Sequence, residues 1–108
     1  MATQNDAILD DGPLARAGIT LYGAPWCGDT RRSKALLNDL GIAFTDVDVD
    51  QDPAANAWVT ARQGGTRRIP VIVLTEDEPL LVEPSNADLN SALVRTGYLS
   101  PDAAQAAD

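Results

Sequence analysis

Apolar and polar residues follow two rhythms along this chain, and the switches between them mark seven elements. Ile19-Thr20-Leu21-Tyr22 is a short run with β-branched and aromatic content, which predicts a buried strand. Gly23 to Pro25 forms the loop after it. From Gly28 the apolar positions Leu36, Leu37 and Leu40 take helical spacing, and Gly41 stops the helix. Residues 43–50 alternate with period two. Phe44 is out of phase with Val47 and Val49, so the predicted strand is Thr45 to Val49, with Asp46, Asp48 and Asp50 sharing a solvated opposite face or strand end. Asp52-Pro53 opens a second helix as N-cap and first helical residue, running over Ala54 to Arg62 with Trp58 as its core anchor. Gln63-Gly64-Gly65 ends it. Val71 to Leu74 and Leu80 to Val82 predict two strands joined by the acidic turn Glu76-Asp77-Glu78-Pro79, hence an antiparallel hairpin. Ser85 caps a last helix, with Asp88 three residues on and Leu89, Ala92 and Leu93 as the buried face. Gly97 closes that helix, and Ser100-Pro101 prevents its resumption.

The order is strand, helix, strand, helix, strand, strand, helix. A βαβ unit implies parallel strands with a right-handed crossover. The ββα unit that follows adds a hairpin. The compact solution is an α/β fold, a four-stranded mixed sheet with helices on both faces. Residues 18–99 form the expected domain. Residues 1–17, polar, acidic and punctuated by Gly12-Pro13, are expected to form a flexible arm, and residues 100–108 a flexible tail.

Composition narrows the function. The chain has 108 residues, enough for one domain with a core of its own. Its hydrophobic share of 44% and charged share of 22% suit a soluble globular domain. No apolar run approaches the ~18 residues of a membrane span, and the first residues lack a signal-peptide pattern. The formal net charge of −8 argues against nucleic acid or an anionic membrane as partner. The basic residues are clustered: Arg31, Arg32 and Lys34 in one group, Arg67 and Arg68 in another. Histidine is absent and cysteine occurs once, which excludes histidine acid–base chemistry and an intrachain thiolate metal site. Asp46, Asp48 and Asp50 have the spacing of a calcium loop but lack its glycine and distal glutamate, so no metal site is expected. A single thiol suits a reducing compartment, and a cytoplasmic location is expected.

That thiol, Cys27, lies where strand gives way to helix, in Tyr22-Gly23-Ala24-Pro25-Trp26-Cys27-Gly28-Asp29-Thr30-Arg31-Arg32. A helix N-terminus offers unpaired N–H groups and favours a thiolate. Arg31, Arg32 and Lys34 add positive charge, and Asp29 opposes it, so a lowered pKa is expected. The alternative for Cys27 is a buried structural cysteine. Trp26 is either an apolar wall for substrate or a core residue. Arg67 and Arg68 either hold carboxylates and polarise the site or are solvated; together the two clusters suggest a positive rim. Ser85 and Asn86 offer polar groups at a helix N-terminus, although capping alone explains Ser85.

The element order, with a cysteine at the first strand-to-helix junction and Ile69-Pro70 just before the third strand, resembles the thioredoxin fold. Within it the chain is most similar to the glutaredoxins of the mycoredoxin group, over residues 19–97. The residues that carry the resemblance are Tyr22 to Gly28, Arg67-Arg68-Ile69-Pro70-Val71 and Pro84-Ser85-Asn86-Ala87-Asp88-Leu89. The resemblance implies that Cys27 is the nucleophile of a thiol–disulfide oxidoreductase. It implies that Pro70 is a cis-proline facing Cys27, and that the Ile69 backbone pairs with a bound thiol. The family's second active-site cysteine is Thr30 here, so the chain resembles a monothiol member. Thr30 is either a hydrogen-bond donor to the thiolate or a plain first-turn helix residue, and in neither reading can it resolve a mixed disulfide. The implied co-substrate is a low-molecular-weight thiol, mycothiol or glutathione, with no tightly bound cofactor. S-thiolated proteins are the implied partners of a monomer. Two alternatives remain: a module sharing a [2Fe–2S] cluster across a dimer through Cys27, and a thioredoxin-fold adaptor in which Cys27 is incidental.

Overall fold

The computed structural model describes residues 18–101, so the expected N-terminal arm and residues 102–108 of the expected tail lie outside it. Seven elements follow in the expected order: β1 (Ile19–Gly23), α1 (Gly28–Asp39), β2 (Phe44–Asp48), α2 (Pro53–Arg62), β3 (Val71–Val73), β4 (Leu81–Val82) and α3 (Asn86–Arg95). The sheet order is β2-β1-β3-β4. β1 runs parallel to β2, with Ile19 opposite Phe44 and Gly23 opposite Asp48. It runs antiparallel to β3, with Tyr22 opposite Val71. β3 and β4 form the antiparallel hairpin.

Helices cover both faces, and successive strand residues feed two separate cores. Ile19, Leu21 and Ile72 pack with Leu36 and Leu37 of α1 and Leu89, Ala92 and Leu93 of α3. On the other face Val71 and Ile69 pack with Ala55 and Val59 of α2, with Tyr22 and Val47 against them. Fully burying one such aliphatic side chain contributes about 1.5–3 kcal/mol. Trp58 lies half-buried at the margin of the second core. It stacks on Tyr22 with ring centroids 5.2 Å apart, and the Arg62 guanidinium sits 4.4 Å over its ring.

Phe44 corrects one expectation. The strand begins at Phe44 and ends at Asp48, one residue earlier at each end than the alternation suggests. The phase argument assumed one buried face. With helices on both faces, Phe44 packs on the first core and Val47 on the second, so both belong to one strand. Asp46 shares the Phe44 face and pairs with Lys34 of α1 at 2.8 Å. The hairpin strands are also shorter than expected, ending at Val73 and starting at Leu81, although Leu74 stays buried.

The ends of α1 are well defined. Its C-terminal turn closes through Gly41, at φ 71°, with Gly41 N–H donating to Asn38 O and Ile42 N–H to Leu37 O. That paired arrangement needs the left-handed backbone glycine tolerates. At the other end α1 packs against the end of β1. A Cβ at Gly23 would lie 2.5 Å from Thr30 Cγ2, so this contact requires glycine.

Candidate active site

Cys27 is the N-cap residue of α1, with extended φ and ψ, and its side chain makes no cap hydrogen bond. A turn places it: Cys27 N–H donates to Ala24 O at 3.1 Å, and Arg31 N–H donates to Cys27 O at 3.1 Å. Cys27 is half-buried and packs against the margin of the second core. Its Sγ lies 3.8 Å from the carbonyl oxygen of Ile69, the residue before Pro70. The Ile69–Pro70 bond is cis, as the resemblance implies. Ile69 and Pro70 are buried. Cys27 thus stands at the positive end of α1, which favours a thiolate.

Trp26 is 63% exposed, so it is not a core residue. Its indole N–H donates to Asp50 Oδ2 at 2.7 Å. Asp50 Oδ1 accepts from Arg67 Nη1 at 3.0 Å, and the same nitrogen donates to Asn56 Oδ1 on α2 at 3.1 Å. The Trp26 hydrogen bond first, and then Arg67, hold the Asp50 carboxyl below its ordinary value of 3.8. Asp50 was expected on a solvated strand face or strand end. It lies in the turn after β2, where its backbone N–H donates to Asp48 Oδ1 at 2.9 Å. Neither alternation nor charge signals this position; it depends on which loops the fold brings together.

The basic clusters are largely neutralised. Arg32 pairs with Asp29 at 2.9 Å, Lys34 with Asp46, Arg67 with Asp50, and Arg68 with Glu83 at 3.9 Å. Arg31 meets a carbonyl instead, with Nη1 2.8 Å from Pro25 O. The expected positive rim is thereby corrected, because intramolecular carboxylates face four of its five cations. Arg68 keeps a side chain 66% exposed. With Gln63, Thr66 and Val82 it lines an open recess of about 370 Å³ next to the Ile69–Pro70 segment. Gln63 Nε2 braces that segment, donating to Arg68 O at 3.0 Å.

Two further expected site residues are placed differently. Thr30 is fully buried, and its Oγ1 accepts from Ala24 N–H at 3.4 Å. Packing beneath the end of β1 closes it to a ligand from solution, so the structure assigns it a place in the packing rather than in thiol binding. Ser85 Oγ accepts from Asp88 N–H at 3.1 Å, which is the cap reading. Asn86 is the exposed first residue of α3. This end of α3 is tied to α1 through Arg32, whose Nη2 donates to Pro84 O at 3.2 Å. Asp46, Asp48 and Asp50 do not converge. Among the described residues no group of three or more acidic, cysteine or histidine side chains is placed to hold a metal ion.

A mixed four-stranded sheet with helices on both faces, and a cysteine capping the first helix beside a cis-proline, defines the thioredoxin fold. A family model described as Glutaredoxin matches residues 19–78, a span that contains both Cys27 and Pro70. The chain belongs to the glutaredoxin family. A Mycobacterium tuberculosis protein assigned by name to the glutaredoxins is 33% identical over 82 residues, 76% of this chain and 96% of that protein. Mycoredoxin 1 of Corynebacterium glutamicum is 35% identical over 57 residues, 52% of this chain and 68% of that protein. Among solved structures, the glutaredoxin-like NrdH-redoxin of Escherichia coli superposes with a TM-score of 0.50 at 25% identity, covering 59% of this chain and 79% of that one. A glutaredoxin from Archaeoglobus fulgidus reaches 0.55 at 17% identity, covering 68% and 82%; it supports the fold.

Proposed function

We propose that this protein is a monothiol thiol–disulfide oxidoreductase that reduces mixed disulfides between proteins and a low-molecular-weight thiol. The observation that carries this reading is the placement of Cys27: a half-buried residue capping the N-terminus of α1, with Sγ 3.8 Å from Ile69 O beside the cis-proline. The Cys27 thiolate attacks the small-thiol sulfur of the mixed disulfide. A bond forms between Cys27 and the small thiol, the original S–S bond breaks, and the protein thiolate leaves. A second small thiol, as thiolate, then attacks the small-thiol sulfur. It forms the free disulfide and releases the Cys27 thiolate. The net exchange turns the mixed disulfide and one free small thiol into the protein thiol and the small-thiol disulfide, with the proton passing from the small thiol to the protein thiolate. The sequence needs no second protein thiol, which matches a chain with one cysteine.

Similarity to a mycoredoxin favours mycothiol over glutathione as the small thiol. S-thiolated proteins in a reducing compartment such as the cytoplasm are the corresponding partners. Among the described residues no helix is long and apolar enough to cross a membrane. The test is turnover of a protein–mycothiol and a protein–glutathione mixed disulfide, side by side, by the wild type and Cys27→Ser. Loss of turnover in the variant and preference for mycothiol support the reading. Activity that survives the substitution overturns it.

A further inference from the structure

Three loops meet beside Cys27, and one carboxylate is bonded to the other two. The loop from β1 to α1 carries Trp26 and Cys27. The turn after β2 carries Asp50. The segment from α2 to β3 carries Arg67, Ile69 and Pro70. Asp50 receives the Trp26 indole N–H on one oxygen, at 2.7 Å, and an Arg67 N–H on the other, at 3.0 Å. Arg67 is anchored a second time by Asn56 on α2, at 3.1 Å, and stands two residues before Ile69, whose carbonyl oxygen is the near neighbour of Cys27 Sγ.

Trp26 is the one exposed large apolar side chain among the described residues. A ring with so little packing around it has few contacts to select one orientation, so its hydrogen bond decides where it points. That bond runs to an ionised acceptor, which makes it stronger than a bond between neutral groups. The same carboxylate, by pairing with Arg67, couples the ring to the segment that carries Ile69 and Pro70.

We propose that Asp50 is a positioning residue, which fixes the Trp26 ring and the Arg67 segment as neighbouring walls of the cleft that receives the disulfide at Cys27. Asp50 touches none of the reacting atoms. It acts through Trp26 and Arg67, and its effect falls on how tightly the incoming disulfide is held. Only the kinetic consequence rests on the function proposed above; the fixing of the ring does not.

The test uses the full ¹⁵N-labelled chain. The Trp26 indole N–H signal is assigned by its loss in Trp26→Phe. Its exchange with water is measured in the wild type, Asp50→Ala and Asp50→Glu. In Asp50→Ala exchange is expected to rise about tenfold or more, since the bond to a charged acceptor is lost. KM for the mixed disulfide is expected to rise about tenfold with kcat within about twofold, as for lost binding contacts that the bound disulfide and the transition state share. Alkylation of Cys27 by iodoacetamide, which needs no cleft wall, stays within about twofold. Asp50→Glu keeps exchange slow and KM within about threefold of the wild type, because it restores the charged acceptor.

Unchanged indole exchange in Asp50→Ala overturns the proposal. So does faster exchange with KM unaltered, or a matching fall in KM performance, alkylation and thermal stability in both variants, which marks a general structural role. A wild-type protein without turnover overturns the function reading instead, and the indole exchange then decides the role of Asp50 alone.

Discussion

The indole nitrogen of Trp26 and Oδ2 of Asp50 lie 2.7 Å apart across 24 positions of sequence. The bond ties the thiol's own loop to the turn that leaves β2. It also accounts, together with Arg67, for the low carboxyl pKa of Asp50.

That depression has a pH consequence. The folded pKa of Asp50 lies below its ordinary value of 3.8. A group depressed on folding contributes stability above its unfolded pKa, and the contribution is lost as pH falls through the folded pKa. The Trp26 indole signal is therefore expected to shift as pH falls, with a midpoint below 3.8. An NMR titration of that signal checks the direction; a midpoint at or above 3.8 contradicts it.

Gly23 and Thr30 form the second checkable pair. A Cβ at position 23 meets Thr30 Cγ2 at 2.5 Å and Oγ1 at 2.6 Å. Gly23→Ala is expected to destabilise the fold by about 1–3 kcal/mol, the range for overpacking a close-packed site. In a Thr30→Ala background both colliding atoms are gone, and the penalty of Gly23→Ala should shrink. Urea denaturation of the four proteins in the cycle measures the coupling. Additive effects would show that the two residues do not press on one another.

The cap of α3 gives a third prediction. Ser85 Oγ satisfies the Asp88 N–H at the start of that helix. Ser85→Ala is expected to lower stability by about 0.5–2 kcal/mol, and Ser85→Asp to retain most of it. Thermal melts separate the two. Equal melting of the wild type and Ser85→Ala would show that the cap contributes nothing.

Much of the fold was legible because short-range signals carry it. Gly41 and Gly97 end their helices where expected, both at positive φ, and Asp52 and Ser85 cap the helices that follow them. The corner of Cys27 and the Ile69–Pro70 segment was legible through resemblance, since no local pattern says that Cys27 and Ile69, 42 positions apart, meet. Three features were not legible. Phe44 lay out of phase because periodicity does not reveal that both faces of β2 are covered. Thr30 looked like a helix residue facing the thiol, and its burial depends on how closely α1 approaches Gly23. Asp50 looked like one of three equivalent carboxylates; what sets it apart is the position of two distant loops.

The pairing of the arginine clusters with nearby carboxylates also bears on how partners find this protein. A chain of net charge −8 whose cations are mostly occupied locally projects an acidic field, with little positive surface around the thiol to draw anions in. Long-range attraction therefore favours basic partners and slows acidic ones. Added salt shortens the reach of that field, so ionic strength should narrow the gap between their encounter rates.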